Sequence, residues 1–354
     1  MLIVDREDIQ GILLHGYRSL PFARYHLLSF AAGEARRVLS RLVVDISSAA
    51  EPRAVARHNL ALTASGLRAL GLGNPELTQF SREFRQGMAH PERAAALGDV
   101  RSESPEHWHF GGPNSAPIDA LYMTFAASRA KLEELCLERE RLFERFGATF
   151  RAQDARLRDT PRVASERPAR RAKQVPLGEF VLGQRDVLGE RHPGPFVPVK
   201  YGFRPMPEWS RAKRAFDFGQ NGSYLALRQL ERNGSGDPHG DAELVLQHAR
   251  RALGPEQSLS HRLLRRSRNY DGGLWFIALN ADLRRQFEFV QQSYLNAPAM
   301  PGPASDVDPL VGRAPEPRSD GTRQAQPRFL VRGGAYFFLP GIRALNYLAE
   351  EAGR

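Results

Sequence analysis

Two histidines flank Trp108, at positions 107 and 109. In an extended chain their imidazoles point to one side, where they could hold a metal. No third ligand accompanies them, and the plainer reading is a polar edge before the Gly111-Gly112-Pro113 turn. Cys136 is the only cysteine, which excludes a disulfide framework and a cysteine-based zinc site. The familiar catalytic spacings are missing. There is no G-x-x-x-x-G-K-S/T phosphate loop, no G-x-G-x-x-G opening a helix, no H-E-x-x-H and no G-x-S-x-G. Asn233-Gly234-Ser235-Gly236 reads as a turn and not as a nucleophile elbow.

Fifty basic residues stand against forty acidic ones, a net charge of +10. Such a balance could indicate nucleic acid. Only four of the fifty are lysines: Lys131, Lys173, Lys200 and Lys213. That skew has the look of a GC-rich coding bias, and the arginines are dispersed apart from residues 162–173 (RVASERPARRAK). A solvated arginine-rich surface is expected, and nucleic-acid binding is not. Hydrophobic residues make up 42% of the chain, and 354 residues can bury a large core without disulfides. No apolar run approaches the roughly 18 residues that span a bilayer. Asp5, Glu7 and Asp8 stand where a secretory signal would be basic and then apolar. The expectation is a soluble, cytoplasmic protein with no membrane partner. No tail beyond the last helix suggests packaging into a larger shell, and the oligomeric state is not readable, so a homo-oligomer stays open.

The elements that must position any site follow from periodicity. The length favours two domains, or one large one. Residues 22–30 (FARYHLLSF) read as a buried strand. Ala35, Val38, Leu39, Leu42 and Val43 then form one apolar helix face. A strand over 58–62, a helix capped by Thr63 and ended by Gly71, and a short helix over 80–88 come next. A strand over 118–126, a long helix capped by Ser128 and a strand after Gly147 complete this half. Residues 158–174 are polar, rich in arginine and proline, and aperiodic. The pattern then resumes: strand 223–230, helix 241–253, strand 274–280, a helix capped by Asp282, a proline-rich loop over 298–326, strand 329–339 and helix 342–351. The fold class is α+β, two ferredoxin-like halves whose antiparallel sheets carry helices on one face. The division is 1–157, an N-terminal ferredoxin-like domain; 158–220, a linker or long functional loop region; and 221–354, a C-terminal ferredoxin-like domain. No sequence repeat relates the halves.

Four stretches resemble the dye-decolourising peroxidase family, whose members bind haem. Asp8-Ile-Gln-Gly-Ile-Leu-Leu-His-Gly16 is similar to that family's D-x-Q-G-x-x-x-x-G opening. Gly178-Glu-Phe-Val-Leu-Gly183 resembles G-E-F-x-L-G, and Asn221-Gly-Ser-Tyr-Leu-Ala-Leu-Arg-Gln-Leu230 resembles N-G-S-Y-L-V-F-R-Q-L. The longest runs from His261-Arg-Leu-Leu-Arg-Arg266 through Gly273–Asn280 and 285–292 to Val331-Arg-Gly-Gly-Ala-Tyr-Phe-Phe-Leu-Pro340. Their order is as specific as their content. Two ferredoxin-like halves are what the family implies, in agreement with the periodicity.

The resemblance also implies roles. The proximal ligand of haem b (iron protoporphyrin IX) lies in an A-H-I-R-R context, similar to Gln247-His248-Ala249-Arg250-Arg251, so His248 would hold the iron. The distal arginine precedes P-Y-G, and Leu264-Arg265-Arg266-Ser267-Arg268-Asn269-Tyr270 makes Arg265 the candidate, with Arg266 or Arg268 as the alternative inward residue. The distal acid belongs to G-x-x-D-G. The closest fit, Arg156-Leu-Arg-Asp159-Thr160, keeps the aspartate and loses both glycines, so Asp159 is the candidate and Asp154 and Asp186 are its rivals. Only 17 residues separate Leu230 from His248, fewer than the family pattern. The implied activity is a haem peroxidase that reduces hydrogen peroxide and oxidises a bulky aromatic reductant. Trp275 and Tyr336 could relay electrons, although strong strand patterns place them in the core. The alternative is a haem-free or inactive relative serving as a structural or binding module.

Overall fold

The computed structural model describes residues 4–51, 54–157, 175–192, 194–198, 210–211, 215–234, 259–296, 308, 310–312 and 327–350. In the N-terminal half, β1 (Phe22–Ser29), β2 (Ala56–Leu62), β3 (Ala120–Ala126) and β4 (Thr149–Arg156) form an antiparallel sheet in the order β4-β1-β3-β2. A three-stranded sheet follows in sequence: β5 (Phe196–Pro198), β6 (Ser210–Arg211) and β7 (Ala215–Asp217). The C-terminal half contributes β8 (Ser223–Arg232), β9 (Leu264–Arg265), β10 (Arg268–Tyr270), β11 (Gly273–Asn280) and β12 (Phe329–Leu339), with β8 between β12 and β11. β9 and β10 share one register against β11, so together they act as the second strand of this half. Both halves therefore have the strand order 4-1-3-2 of a ferredoxin-like unit, as the sequence implied.

The two sheets are joined. β12 pairs with β2 at one seam, and β10 bridges β4 and β11 at the other, so the strands close into a barrel. Alternation along each strand sends one set of side chains inward. Tyr25, Leu27, Leu121, Met123, Phe125, Leu225, Leu227, Trp275, Ile277 and Phe337 fill the lumen as one apolar cluster. A lumen filled by such large side chains is a core, not a channel. The opposite set, including Leu28, Leu60, Tyr122, Ala226, Ala278 and Phe338, faces outward and packs with the helices in a second cluster.

Each seam has only one paired position, Phe338↔Leu62 and Asn269↔Arg156, and each is reinforced by a buried side chain. Gln10 Nε2 donates to the carbonyls of Leu60 (2.8 Å) and Pro340 (2.9 Å), while its Oε1 accepts from Leu60 N. At the other seam Arg268 donates to the carbonyls of Leu20, Pro21 and Tyr17. The D-x-Q-G stretch thus stitches the barrel. Asp8 accepts from Asn221 Nδ2 and from the Arg343 amide at the start of the last helix, joining this stretch to the N-G-S one. A Cβ on Gly11 would run into the Tyr17 hydroxyl, which donates to Asn59 Oδ1 in the core.

The caps expected from sequence are formed. Thr63 accepts from Gly66 N and Ser128 from Lys131 N, opening the helices Ala64–Ala69 and Arg129–Arg145. Asp282 Oδ1 accepts from Arg285 N, but the helix that follows winds as π-turns over Arg284–Glu288 and Val290–Leu295. The short helix expected at 80–88 spans Arg82–Gln86. The strand pair at 264–270 was not expected: the five charged or polar residues Arg265–Asn269 in LRRSRNY obscured the alternation. The helix expected at 241–253 and the loops at 158–174 and 298–307 lie outside the described residues.

Candidate functional site

The stretch 264–270 sorts three arginines by alternation. Arg265 is opposite Ala278, and Arg268 is opposite Trp275. Ala278 faces the helices and Trp275 the lumen. Arg265 therefore points outward, and Arg266 and Arg268 point to the barrel side. The inward pair is fully engaged in backbone contacts. Arg266 donates Nε to Ile12 O (2.7 Å) and Nη2 to Leu13 O (3.1 Å), and Arg268 also lies 4.8 Å over the Phe125 ring. Arg265 differs: among the described residues its guanidinium has neither a carboxylate nor a hydrogen-bond acceptor. It is exposed, yet desolvation alone holds its ionisation below the usual arginine value. Phe276 and Leu274, both partly buried, continue this outer face of β11 beside Ala278.

His248 and Asp159 lie outside the described residues. Both rivals of Asp159 are described, and both are occupied. Asp154, on the outer face of β4, receives Arg24 Nε at 2.5 Å and Nη2 at 3.2 Å, on the N-terminal sheet. Asp186 is 3% exposed and accepts from the amides of Leu188 and Glu190 and from His192 Nε2 at 2.9 Å. Burial pushes its ionisation up, but the His192 bond and the two amides outweigh this and hold it below the usual carboxylate range. Neither has a lone pair directed at Arg265 in any recorded contact. Glu179 of the G-E-F stretch is likewise structural: its carboxylate accepts from Val187 N and meets Arg285 Nη2 at 3.2 Å.

The histidines give no competing metal centre. No group of three or more histidine, cysteine or carboxylate side chains able to hold a metal occurs among the described residues. His107 closes a 3-10 turn and its Nδ1 pairs with Arg101 O; His109 pairs with Gln229 Oε1. They are not two ligands on one strand. His261, four residues before Arg265, donates to Arg285 O and stacks on Phe289 with ring centroids 4.0 Å apart. A surface relay through Trp275 or Tyr336 is ruled out. Trp275 is in the lumen, stacked on Phe110, and Tyr336 is buried with its hydroxyl donating to Glu288 Oε1 at 2.8 Å.

Sequence reasoning missed the polar cluster on the outer face of the C-terminal sheet. Arg228 Nη2 meets Asp99 Oδ2 at 2.5 Å, both nearly fully buried. Arg93 Nη1 meets Glu288 Oε2 at 2.8 Å, and Glu288 holds Tyr336. Burial pushes Asp99 up to about 6 and raises Glu288 as well. The only sequence signal was charge inside apolar strand and helix patterns, such as Arg228 within SYLALRQL.

The donor set suits an anionic or polarised oxygen ligand above an apolar floor. An unpaired guanidinium beside Phe276 and Ala278 is compatible with a haem face at which peroxide is bound.

The architecture defines an α+β protein in which two ferredoxin-like halves close one barrel. Comparison makes the class specific. A DyP-type peroxidase of Anabaena sp. superposes with a TM-score of 0.66 at 17% identity, covering 96% of this chain and 94% of that one. A dye-decolorizing peroxidase from Auricularia auricula-judae gives 0.67 at 17% over 98% and 100%, and a dye-decolorizing peroxidase in complex with cyanide gives 0.69 at 19% over 99% and 100%. This chain has the dye-decolourising peroxidase fold. Its sequence is also 30% identical over 132 residues to the multifunctional dye peroxidase DyP2 of Amycolatopsis sp., a match spanning 27% of this chain and 28% of that protein. No family model matches the sequence.

Proposed function

We propose that the protein is a haem peroxidase of the dye-decolourising type, reducing hydrogen peroxide at the expense of a bulky aromatic reductant. The observation that carries this reading is Arg265, a cation on the outer face of the C-terminal sheet with no carboxylate or acceptor among the described residues, opposite Ala278. The likeness of the whole fold to dye-decolourising peroxidases supports it. In this reading residues 221–354 hold haem b through His248, and 158–220 supply the distal side. The bound haem would supply the redox chemistry of peroxide reduction. Arg265 holds peroxide against the cofactor face and stabilises the negative charge that grows on the departing oxygen. Asp159 moves a proton between the two peroxide oxygens, a role worth roughly 10²–10⁴ in rate. Leu274, Phe276 and Ala278 keep bulk water from the reacting atoms. The single, buried Cys136 fits a reducing cytoplasmic setting, and no described helix is long and apolar enough to cross a membrane.

The decisive experiment is an absorbance spectrum of protein expressed with a haem precursor, beside His248→Ala. A Soret band that shifts or vanishes in the variant is the expected result. A folded wild-type protein that takes up no haem in titration overturns the enzyme and leaves a haem-free binding module.

A further inference from the structure

A polar cleft opens at one end of the barrel, on the lumen side of β1 and β4. Leu27 stands opposite Arg151 and Ser29 opposite Thr149. Leu27 belongs to the lumen cluster, so alternation sends Ser29, Thr149 and Arg151 to that same side. The segment 109–118 forms the facing wall, and the space between is about 350 Å³. Leu27 and Phe110 close the floor. The rim is open to a ligand: His109, Asn114, Thr149 and Arg151 are exposed, and Ser29 and Ser115 are part-exposed.

The two basic side chains at the rim are held in place, yet their donors are not used up. The His109 amide donates to Arg332 O at 2.6 Å, and its Nδ1 pairs with Gln229 Oε1 at 3.3 Å. Arg151 Nη1 donates to the His109 carbonyl at 2.7 Å. Contacts from β12, β8 and β4 thus fix the pair before any ligand arrives. Among the described residues, Arg151 Nε and Nη2, His109 Nε2 and the Ser29 and Thr149 hydroxyls have no partner. No aspartate or glutamate among them lines the cleft, and Glu231 on β8 is taken by Arg332 at 2.8 Å. A guanidinium, an imidazole and two hydroxyls sharing one cleft without an acid suit a phosphate group. The guanidinium offers parallel donors to its oxygens, and Nε2 donates when protonated or accepts from a phosphate hydroxyl. The volume falls within the roughly 300–1,000 Å³ of small-molecule sites, so an organic body fits beside the anion. The wall left for that body is neutral and not aromatic: Asn114, Ser115, Ala116 and Pro117.

We propose that this cleft binds a sugar phosphate. The phosphate sits on Arg151, His109 and Thr149, and the hydroxylated body meets Ser29, Asn114 and Ser115. Arg265 lies on the outer face and does not line this cleft. The inference goes beyond the peroxidase reading and does not depend on haem.

Calorimetric titration of the full chain with ribose 5-phosphate, ribose and inorganic phosphate tests it, in about 0.15 M salt to screen the arginine-rich surface. One ribose 5-phosphate per chain is expected, bound roughly tenfold more tightly than inorganic phosphate, with ribose not binding. Arg151→Gln, at an exposed position, should melt like the wild type and lose roughly tenfold in affinity for the ester. Thr149→Val should lose a smaller part, and its loss decides the matter if Arg151→Gln melts lower. Arg41→Gln, at an exposed position on the helix Ala35–Leu42, should change nothing. No binding of ribose 5-phosphate, inorganic phosphate binding as tightly as the ester, or equal losses in Arg151→Gln and Arg41→Gln overturns the proposal. None of these outcomes bears on haem uptake.

Discussion

On the outer face of the N-terminal sheet, Arg24 is held between Asp154 and Glu140, and His26 donates to the same Glu140 beneath the long helix. On the outer face of the C-terminal sheet, Arg228 is paired with Asp99 and Arg93 with Glu288, but Arg265 has no counter-charge among the described residues. The strand order is the same in both halves. The difference lies in what each half does with charge. Arg228 and Arg93 are paired with acids, whereas Arg265 stands exposed without one among the described residues and is available to a charged ligand. Neutralised faces support the fold, and the unbalanced one points to chemistry.

The sharpest way to break this comparison is through the distal acid. Asp159→Asn should lower the peroxide-dependent turnover of haem-loaded protein by about 10²–10⁴-fold. Asp154→Asn and Asp186→Asn should leave turnover per folded molecule unchanged, because both acids already serve Arg24 or the His192 loop. Steady-state rates of the three variants decide it. A collapse with Asp186→Asn and none with Asp159→Asn would move the site to the wrong acid.

The next effect contrasts neighbours. Arg265→Leu should cost roughly 10²–10³ in turnover, the usual scale for one electrostatic stabiliser, with no loss of stability. Arg266→Leu should do the reverse. It removes the donors to the Ile12 and Leu13 carbonyls, so about 1–3 kcal/mol of stability is lost while the turnover of folded protein is kept. Urea melts beside peroxide assays read both. Equal behaviour of the two variants removes the distinction between inward and outward arginines.

The third effect concerns the paired charges. Arg228→Met leaves Asp99 buried without its partner and should cost about 3–5 kcal/mol in urea unfolding. Arg24→Met, at a pair with 20% and 43% side-chain exposure, should cost about 1 kcal/mol or less. Comparable losses would mean that the two outer faces are not different in kind.

The sequence carried the strands and caps well, because a period of two or 3.6 is set by local chain geometry. Thr63, Ser128 and Asp282 cap where their side-chain oxygens fall just before an apolar repeat. Barrel closure was not legible. It depends on Gln10 reaching Leu60 and Pro340, a contact 330 residues apart in the chain, and on arginines whose charge hid a strand. The motif residues Asp8, Gln10, Asn221 and Glu179 were visible only as resemblance, and the structure shows them as stitching between segments. Which of Arg265, Arg266 and Arg268 faces outward is set by the register against β11 and cannot be read from composition. The hydrogen bonds that occupy Asp154 and Asp186 are again a matter of tertiary position.

The smallest effect is a pH dependence that differs in sign between the outer faces of the two sheets. His58, 8% exposed and stacked on Tyr122, is lowered from 6.5 to about 4 by burial first and then by Arg139 and Arg57. The unfolded chain therefore takes up this proton before the folded one does. The stability held by neutral His58 is complete above pH 6.5 and is lost as pH falls toward 4. Asp99 moves the other way. Raised from 3.8 to about 6 by burial, it takes up its proton first in the folded state, so acidification between 6 and 3.8 favours folding at that site. The two slopes partly cancel in the wild type, and a variant is needed to see them. His58→Phe keeps a ring against Tyr122 and removes the titration. Between pH 7 and 5 its unfolding free energy should fall by about 1–2 kcal/mol less than that of the wild type. Urea unfolding of both proteins at the two pH values measures the difference. If they lose the same stability, the N-terminal face is not the acid-sensitive one, and the charge contrast between the halves does not extend to their buried titrating groups.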